Sequence, residues 1–135
     1  MIVACDGAAR GNPGPAGFGV HITDGDGTTL AEIAEGIGVA TNNVAEYRAA
    51  IAGLARAREL GATRILLRSD SKLLIEQLAG RFRVRNAGLK PLHAEATALM
   101  VGFDRVDLEH VPRERNREAD RLANVGVDRW LARSP

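Results

Sequence analysis

The chain has 135 residues and a net charge of +1, with 45% hydrophobic and 26% charged residues. This is ordinary composition for one globular domain that can bury a core. A single cysteine, Cys5, excludes an internal disulfide and points to a reducing compartment. The start, from Met1 to Asp6, meets a charge at once and is not typical of a secretory signal. No run of about 18 apolar residues exists to span a membrane. We therefore expect a cytoplasmic protein without a membrane partner.

Basic residues are unevenly distributed along the chain. Residues 1–60 carry four basic and seven acidic side chains, whereas residues 61–135 carry 14 basic and 10 acidic ones. The basic residues of the second half form two local clusters. They are Arg81, Arg83, Arg85 and Lys90, then Arg113, Arg115, Arg117 and Arg121. Each cluster is either a solvated face or part of a surface for a polyanion.

The first third of the chain reads as strands and turns. Ile2–Asp6 is predicted to be a short strand, and a loop rich in glycine and proline follows over residues 7–19. Val20–Thr23 is predicted to be a second strand. After the turn at residues 24–27, Thr28–Glu35 returns as a third strand. These three strands are expected to form an antiparallel meander.

The remainder alternates helices with strands. Thr41 to about Leu60 is predicted to be a helix, because Val44, Tyr47, Ile51 and Leu54 recur at helical spacing. The further predicted elements are a buried strand at Arg64–Ser69, helices at Ser71–Leu78 and Lys90–Val101, a strand at Val106–Val111, and a final helix capped by Asn116. The final helix has a continuous apolar face. The fold class is α/β: one domain over residues 1–135, with a five-stranded mixed sheet, antiparallel meander plus parallel strands, and helices on both faces.

Four carboxylates stand at the ends of predicted elements, where such a sheet could bring them together. Asp6 ends the first strand, Glu46 lies in the first turn of the first long helix, Asp70 follows the central strand, and Asp120 lies in the first turn of the last helix. Clustered acids repel unless a cation neutralises them, and oxygen ligands favour Mg²⁺ or Mn²⁺ over Zn²⁺. Two such ions can drive phosphodiester cleavage. The alternative is a helix-capping or dipole role for Glu46, Asp70 and Asp120, because the spacing alone is weak evidence for a metal site.

Local motifs around these acids resemble those of the type 1 ribonuclease H family. Residues 6–19 (DGAARGNPGPAGFG) are similar to its opening motif, and residues 41–47 (TNNVAEY) to its second. Residues 69–73 (SDSKL) and 116–123 (NREADRLA) resemble the third and fourth. The four motifs occur in the family order, and the match runs from about Ile2 to Asn124. The first two motifs are long and specific, whereas the last two are short.

The resemblance implies a function and a set of site residues. It implies a ribonuclease H-like fold and an endonuclease that hydrolyses the RNA strand of RNA–DNA hybrids, leaving 5′-phosphate and 3′-hydroxyl ends. Asp6, Glu46, Asp70 and Asp120 would be the catalytic residues and would bind two Mg²⁺ ions, with Mn²⁺ expected to substitute. Substrate contacts are expected from Gly7, Gly11, Asn12, Thr41, Asn42 and Asn43. Amide side chains suit the 2′-hydroxyls that distinguish RNA, although Asn42 and Asn43 could instead cap the helix. A monomer is expected.

Three departures from the family pattern limit what carries over. Many members have a histidine in the loop before the last helix, but residues 111–116 (VPRERN) contain none. Slower product release is expected, with Glu114 or Arg113 as the candidate substitute. The stretch 80–88 (GRFRVRNAG) stands in place of a longer basic protrusion, and Phe82 within it is expected to pack in the core. Val39 stands where the family usually has an arginine near a phosphate pocket. His21, His93 and His110 receive no catalytic role.

Other functions remain open at this point. A non-catalytic nucleic-acid-binding module on the same fold would lose at least one of the four carboxylates, and all four are present. Another metal nuclease of the same superfamily would carry different motifs around its acids, so the Gly-Asn-Pro-Gly loop disfavours it. A structural or interaction domain with incidental acids is the non-enzymatic alternative.

Overall fold

A computed structural model describes residues 1–133 of the chain. Five strands form one mixed sheet: β1 (Ile2–Ala9), β2 (Gly14–Thr23), β3 (Thr29–Ala40), β4 (Arg64–Ser69) and β5 (Arg105–His110). The helices are α1 (Asn42–Glu59), α2 (Lys72–Leu78), α3 (Lys90–Val101) and α4 (Arg117–Arg133), with a single 3₁₀ turn at Arg113–Arg115. Residues 134 and 135 of the expected domain lie outside the described residues. Among residues 1–133, no helix is both long and apolar enough to cross the bilayer.

The sheet changes from antiparallel to parallel pairing at its central strand. Its order is β3-β2-β1-β4-β5, in which β1 pairs antiparallel with β2 and parallel with β4. The predicted fold class is confirmed by this topology. The parallel ladder between β1 and β4 ends at the pair Cys5–Ser69, whereas β1 continues beside β2 as far as Ala9. Asp6 is therefore the first residue of β1 beyond the parallel ladder, at the edge where open α/β sheets form their sites.

Helices α1 and α4 pack on opposite faces of the sheet. A side chain at Gly53 of α1 would lie tightly against Val20, and a side chain at Gly19 would collide with the backbone of α4. Because adjacent strand residues point to opposite faces, α1 and α4 lie on different sides of β2. The main hydrophobic core fills the α1 side. Its largest buried members include Tyr47, Phe18, Ile22, Leu54 and Leu67.

The loop expected at residues 7–19 is mostly strand. β1 continues to Ala9 and β2 begins at Gly14, so only a short turn, containing a cis Asn12–Pro13 bond, separates them. β3 likewise extends to Ala40 instead of ending at Glu35. The expectation of a loop was wrong because Gly17, Gly19 and Gly36 lie against the α4 backbone, where any β-carbon would collide. These glycines allow α4 to pack closely against the sheet.

The other helices and strands begin and end within one residue of their predicted bounds. Glu46 lies one turn later in α1 than predicted. β5 begins and ends one residue before the predicted Val106–Val111, and Ser71 caps α2 through a hydrogen bond from Leu74 N–H to its hydroxyl. Glu46 lies in the second turn of α1, since the helix begins at Asn42. Cys5 lies within β1 and is fully shielded from solvent.

Candidate active site

Three of the four predicted carboxylates converge at the carboxyl edge of the sheet. Asp6 comes from β1, Glu46 from α1 and Asp70 from the bend between β4 and α2. One oxygen from each lies within 4.8 Å of the others. Asp6 is 4% exposed and Glu46 is 8% exposed, whereas Asp70 is half-buried. The cluster is therefore shielded from solvent on the side formed by β1 and α1, and it is open to a ligand on the side of Asp70.

Gly7 explains how β1 and α1 come close enough to build this cluster. A β-carbon at Gly7 would collide with the backbone nitrogen of Glu46 and with Ala45. Only glycine permits this approach, which lays the start of α1 directly against the strand that carries Asp6. Gly7 was expected to contact substrate. The structure gives it a packing role, and the substrate contact stays a prediction.

The electrostatics of the cluster call for a cation. Burial, followed by repulsion from Glu46 and Asp70, raises the pKa of Asp6 far above the usual carboxyl range. Burial and then repulsion from Asp70 raise the pKa of Glu46. The Oε2 atom of Glu46 is buried and has no hydrogen-bond partner among the described residues. An orphaned oxygen beside two further carboxylates fits a hard divalent ion, because all the available ligands are oxygen atoms.

Asp120 lies beside this cluster rather than inside it. It belongs to the first turn of α4, as predicted, and lines the same cleft as the other three acids. Its carboxyl is close enough to Asp6 to contribute to the raised pKa of that group. On its other side, Asp120 Oδ1 lies 3.8 Å from Nη2 of Arg113. The structure thus brings three acids together and leaves the fourth between the cluster and an arginine.

Asn116 ties the beginning of α4 to β1. Its side-chain nitrogen donates to the carbonyl oxygen of Cys5 at 2.9 Å, immediately before Asp6. Asn116 directly precedes α4, as predicted, but its side chain does not cap the helix, because its Oδ1 atom is buried and accepts no hydrogen bond within residues 1–133. The Asn116 amide instead donates to the Cys5 carbonyl oxygen of β1. Asn116 consequently fixes the distance between the strand that carries Asp6 and the helix that carries Asp120.

The predicted substrate amides gather at the amino end of α1. Oδ1 of Asn12 accepts a hydrogen bond from the backbone N–H of Asn42 at 3.0 Å. Thr41 caps the helix, since its hydroxyl accepts from Val44 N–H at 3.2 Å. Asn42 and Asn43 are exposed and do not cap the helix, so their side chains remain available. With Oδ1 engaged, Asn12 presents its N–H₂ donors outward.

Gly11 provides the turn that places Asn12. Its φ of 105° lies in the region that favours glycine, and it is followed by the residue whose side chain reaches α1. A β-branched or bulky residue in this conformation would be strained. Gly11 therefore supports the substrate corner through its backbone.

Two arginines line the cleft that contains the carboxylates. The cleft has a volume of about 370 Å³ and is lined by all four acids together with Arg10, Arg113, Asn42 and Asn124. Nη1 of Arg10 contacts Asp128 at 2.8 Å, and its Nη2 donates to Asn124 at 3.4 Å. Sequence reasoning gave no role to Arg10. Its place in the opening motif, four residues after Asp6, was the only signal.

The structure separates the two candidates for the missing loop histidine. Arg113 lines the carboxylate cleft, whereas Glu114 lines a different depression, together with Arg68 and Ala4. His110 is exposed, and its Nε2 lies 3.2 Å from the carbonyl oxygen of Asp70. Arg113 is therefore the residue of this loop that can meet a phosphate at the acids.

Residues 80–88, which we call the arginine segment, contain neither helix nor strand. Phe82 is 45% exposed, so the expectation that it packs in the core was wrong. Arg81 forms a two-pronged contact with Glu76 at 2.6 and 2.9 Å. Arg83 and Arg85 are exposed. An apolar ring among exposed guanidinium groups suits a nucleic-acid backbone and its sugars.

Comparison with known proteins places this geometry in a family. A family model described as "Reverse transcriptase-like" matches residues 4–126. The chain is 46% identical to "Ribonuclease HI" of Halobacterium salinarum, over 91% of this chain and 62% of that protein. It overlays the crystal structure of LC11-RNase H1 in complex with an RNA/DNA hybrid at a TM-score of 0.91, with 40% identity over 96% of this chain and 98% of that one.

The chain belongs to the type 1 ribonuclease H family. It is also 50% identical to the "Bifunctional protein Rv2228c" of Mycobacterium tuberculosis, over 95% of this chain. The chain spans only 35% of the length of that relative and 62% of the Halobacterium one. As a ribonuclease H domain it has the carboxylate cluster and the amide corner, with an arginine in the loop where many members carry a histidine.

Proposed function

We propose that this chain is a ribonuclease H, an endonuclease that hydrolyses the RNA strand of RNA–DNA hybrids and leaves 5′-phosphate and 3′-hydroxyl ends. The observation that carries the proposal is the cluster of Asp6, Glu46 and Asp70, with oxygens within 4.8 Å of one another. The corner of amides that could recognise 2′-hydroxyls opens onto the same cleft. The relatives' names and the hybrid-bound neighbour support the same activity.

Asp6, Glu46 and Asp70, with Asp120 beside them, are the residues that would hold two Mg²⁺ ions, and Mn²⁺ would suit the same oxygens. When bound, such a pair supplies activation of the attacking water and stabilisation of the leaving 3′ oxygen. Burial of Asp6 and Glu46 excludes water from one side of the cluster. The half-buried Asp70 and Asp120 face the cleft from which the phosphate would enter.

The amide corner would select the RNA strand. Asn12 offers hydrogen-bond donors, because its oxygen is held by the N–H of Asn42. Asn42 and Asn43 can each donate to and accept from a hydroxyl group. An A-form minor groove displays 2′-hydroxyls, so these side chains would distinguish RNA from DNA at the cut site. Thr41, Gly7 and Gly11 would support the same strand contacts through hydroxyl and backbone groups.

Arg113 would then hold the phosphate during and after cleavage. A guanidinium stays charged at any working pH and forms paired hydrogen bonds with phosphate oxygens. It therefore orients a phosphate but does not transfer a proton. We further propose that residues 1–135 act as one monomeric, cytoplasmic domain.

The test compares the wild-type protein with Asp70→Asn on three labelled substrates: RNA–DNA hybrid, single-stranded RNA and double-stranded RNA, with and without Mg²⁺. We expect Mg²⁺-dependent cutting of the hybrid by the wild type. The substituted asparagine keeps the shape of the side chain but loses its charge, so a loss on the order of 1000-fold is expected. Equal activity of the two proteins would refute the mechanism.

Two further outcomes distinguish the substrate and the alternative. Cutting of single-stranded RNA alone would refute hybrid specificity. Tight binding of the hybrid without cutting, with Mg²⁺ or Mn²⁺ present, would favour the non-catalytic binding module. Cleavage of double-stranded RNA beside the hybrid would extend the substrate range without altering the mechanism.

A further inference from the structure

A buried chain of hydrogen bonds joins the catalytic helix to the arginine segment. Tyr47 follows Glu46 directly in α1, and its hydroxyl donates to Oε1 of Gln77 at 2.6 Å. The side-chain nitrogen of Gln77 in turn donates to the carbonyl oxygen of Arg83 at 3.4 Å. Tyr47 is 1% exposed and Gln77 is 5% exposed. A path of two buried side chains therefore leads from the cluster to an exposed arginine.

The direction of each hydrogen bond in this chain is fixed by its partners. The Tyr47 hydroxyl is the donor, because its partner is an amide oxygen, which can only accept. The backbone carbonyl oxygen of Gln77 lies 3.2 Å from Nε2 of His93. The rings of Tyr47 and His93 also pack edge to face, with centroids 6.4 Å apart. Gln77 is thus held from α1 and α3, and its N–H₂ group is left to face Arg83.

Besides the bond to Gln77, backbone hydrogen bonds and the packing of Val84 against the core hold the arginine segment. The backbone N–H groups of Arg81 and Phe82 both donate to the carbonyl oxygen of Glu76, which fixes the start of the segment. Farther along, Gln77 supplies the side-chain bond to Arg83. No ion pair involves Arg83 or Arg85 within residues 1–133. Without Gln77, Arg83 would lose the hydrogen bond to its carbonyl oxygen.

We infer that Tyr47 and Gln77 are positioning residues, which hold Arg83 and Arg85 where they meet phosphates of the nucleic acid whose cut site lies at Glu46. The inference rests on the proposed function. The seven residues of α2 carry the chain about 10 Å away from the acids. That distance corresponds to about three phosphates along one strand. The arginine segment would therefore contact the duplex a short way from the cut site.

The first experiment uses Tyr47→Phe, which removes one hydroxyl and keeps the ring. Steady-state kinetics on the hybrid, measured from 50 to 200 mM salt, should show KM raised about 3- to 10-fold and kcat within about 2-fold of wild type. The slope of log KM against log salt concentration should decrease by about 1, the amount expected when one phosphate contact is lost. The matched control is Ile22→Val, a buried change in β2 away from this chain. It should leave KM, kcat and the salt slope unchanged.

The second experiment tests whether Tyr47 acts through the arginines. Arg83→Ala/Arg85→Ala should itself raise KM. Adding Tyr47→Phe in that background should have no further effect on KM, because the arginines it positions are gone. Gln77→Met, of similar shape and without hydrogen bonds, should reproduce the effect of Tyr47→Phe. Full additivity of the changes, or an equal rise of KM in the Ile22→Val control, would overturn the inference.

Binding measurements separate failure of this inference from failure of the proposed activity. The Kd for the hybrid is measured with Asp70→Asn and with Asp70→Asn/Tyr47→Phe. A 3- to 10-fold weaker Kd and a smaller salt slope in the double variant would support the positioning role even if the wild type cut nothing. An equal Kd with an equal slope would overturn it even if the wild type cut hybrids efficiently.

Discussion

The carboxylate cluster and the arginine segment are built in opposite ways. The acids are held by β1, α1 and the end of β4, and two of the three are almost fully buried. The arginine segment has no regular structure, exposes its three arginines, and is held by a few hydrogen bonds from α2 and by the packing of Val84 against the core. Repelling charges stay together only where several rigid elements enforce their positions. Arginines that attract a polyanion do not repel it, so they need no rigid framework to hold them near it. Changes in the first region should therefore affect kcat and stability, and changes in the second should affect KM.

Breaking the cluster should have the largest effect, with activity and stability moving in opposite directions. Asp6→Asn should lower kcat on the order of 1000-fold. The same change should raise the free energy of unfolding of the metal-free protein by roughly 1–3 kcal/mol at pH 8, because folding at that pH must keep Asp6 protonated while the unfolded carboxyl is ionised, and asparagine carries no such cost. Chemical denaturation in EDTA measures the gain. Adding Mg²⁺ should stabilise the wild type more than the variant.

The pH dependence of stability follows from the raised pKa of Asp6 and Glu46. A carboxyl whose pKa is raised by folding stays protonated in the native state while the unfolded chain has already lost its proton. Its contribution is fully present below about pH 4, the unfolded value, and is lost as pH rises toward the native value. The metal-free wild type should thus lose stability from about pH 5 to about pH 9, and Asp6→Asn should lose less. A flat profile in the wild type would contradict the buried cluster.

A smaller effect is expected where a cation meets the acids. Arg113→Ala should lower kcat about 10-fold, because one charge-assisted contact to the phosphate is lost. The Arg113 side chain is 77% exposed, so the effect should diminish at high salt. Glu114→Ala is the matched control, since Glu114 lines a different depression and not the carboxylate cleft. Stopped-flow measurement of product release identifies the affected step. Equal turnover in wild type and Arg113→Ala would exclude this role.

The smallest effect is expected at Phe82 in the arginine segment. With 45% of its surface exposed, Phe82→Ala should lower the free energy of unfolding by less than about 1 kcal/mol, whereas removing a buried phenylalanine costs about 3–5 kcal/mol. KM for the hybrid should rise about 2- to 5-fold. Urea denaturation and kinetics on the same preparations test both expectations. A large loss of stability with unchanged KM would show core packing and would make the two regions more alike.

Sequence patterns predicted the family and the fold class, and both are confirmed. They did so because helical spacing around Tyr47, the caps, and the alternation of elements report local preferences that the tertiary structure leaves intact. They were wrong for residues 7–19, where glycine normally marks a loop. Strand pairing there depends on α4, a helix about a hundred residues later in the chain, whose backbone packs against Gly17 and Gly19. No local window contains that information.

The sequence by itself predicted which acids share the cleft, because the short motifs around Asp6, Glu46, Asp70 and Asp120 are each contiguous in the chain. Only the tertiary structure decided their arrangement. Asp6, Glu46 and Asp70 form a cluster, and Asp120 lies between Asp6 and Arg113. It also decided two hydrogen bonds: the Asn116 amide donates to the Cys5 carbonyl oxygen, and the Gln77 amide donates to the Arg83 carbonyl oxygen. Distances between side chains on different elements depend on packing across the whole sheet, whereas the residues that form each motif are fixed by covalent order.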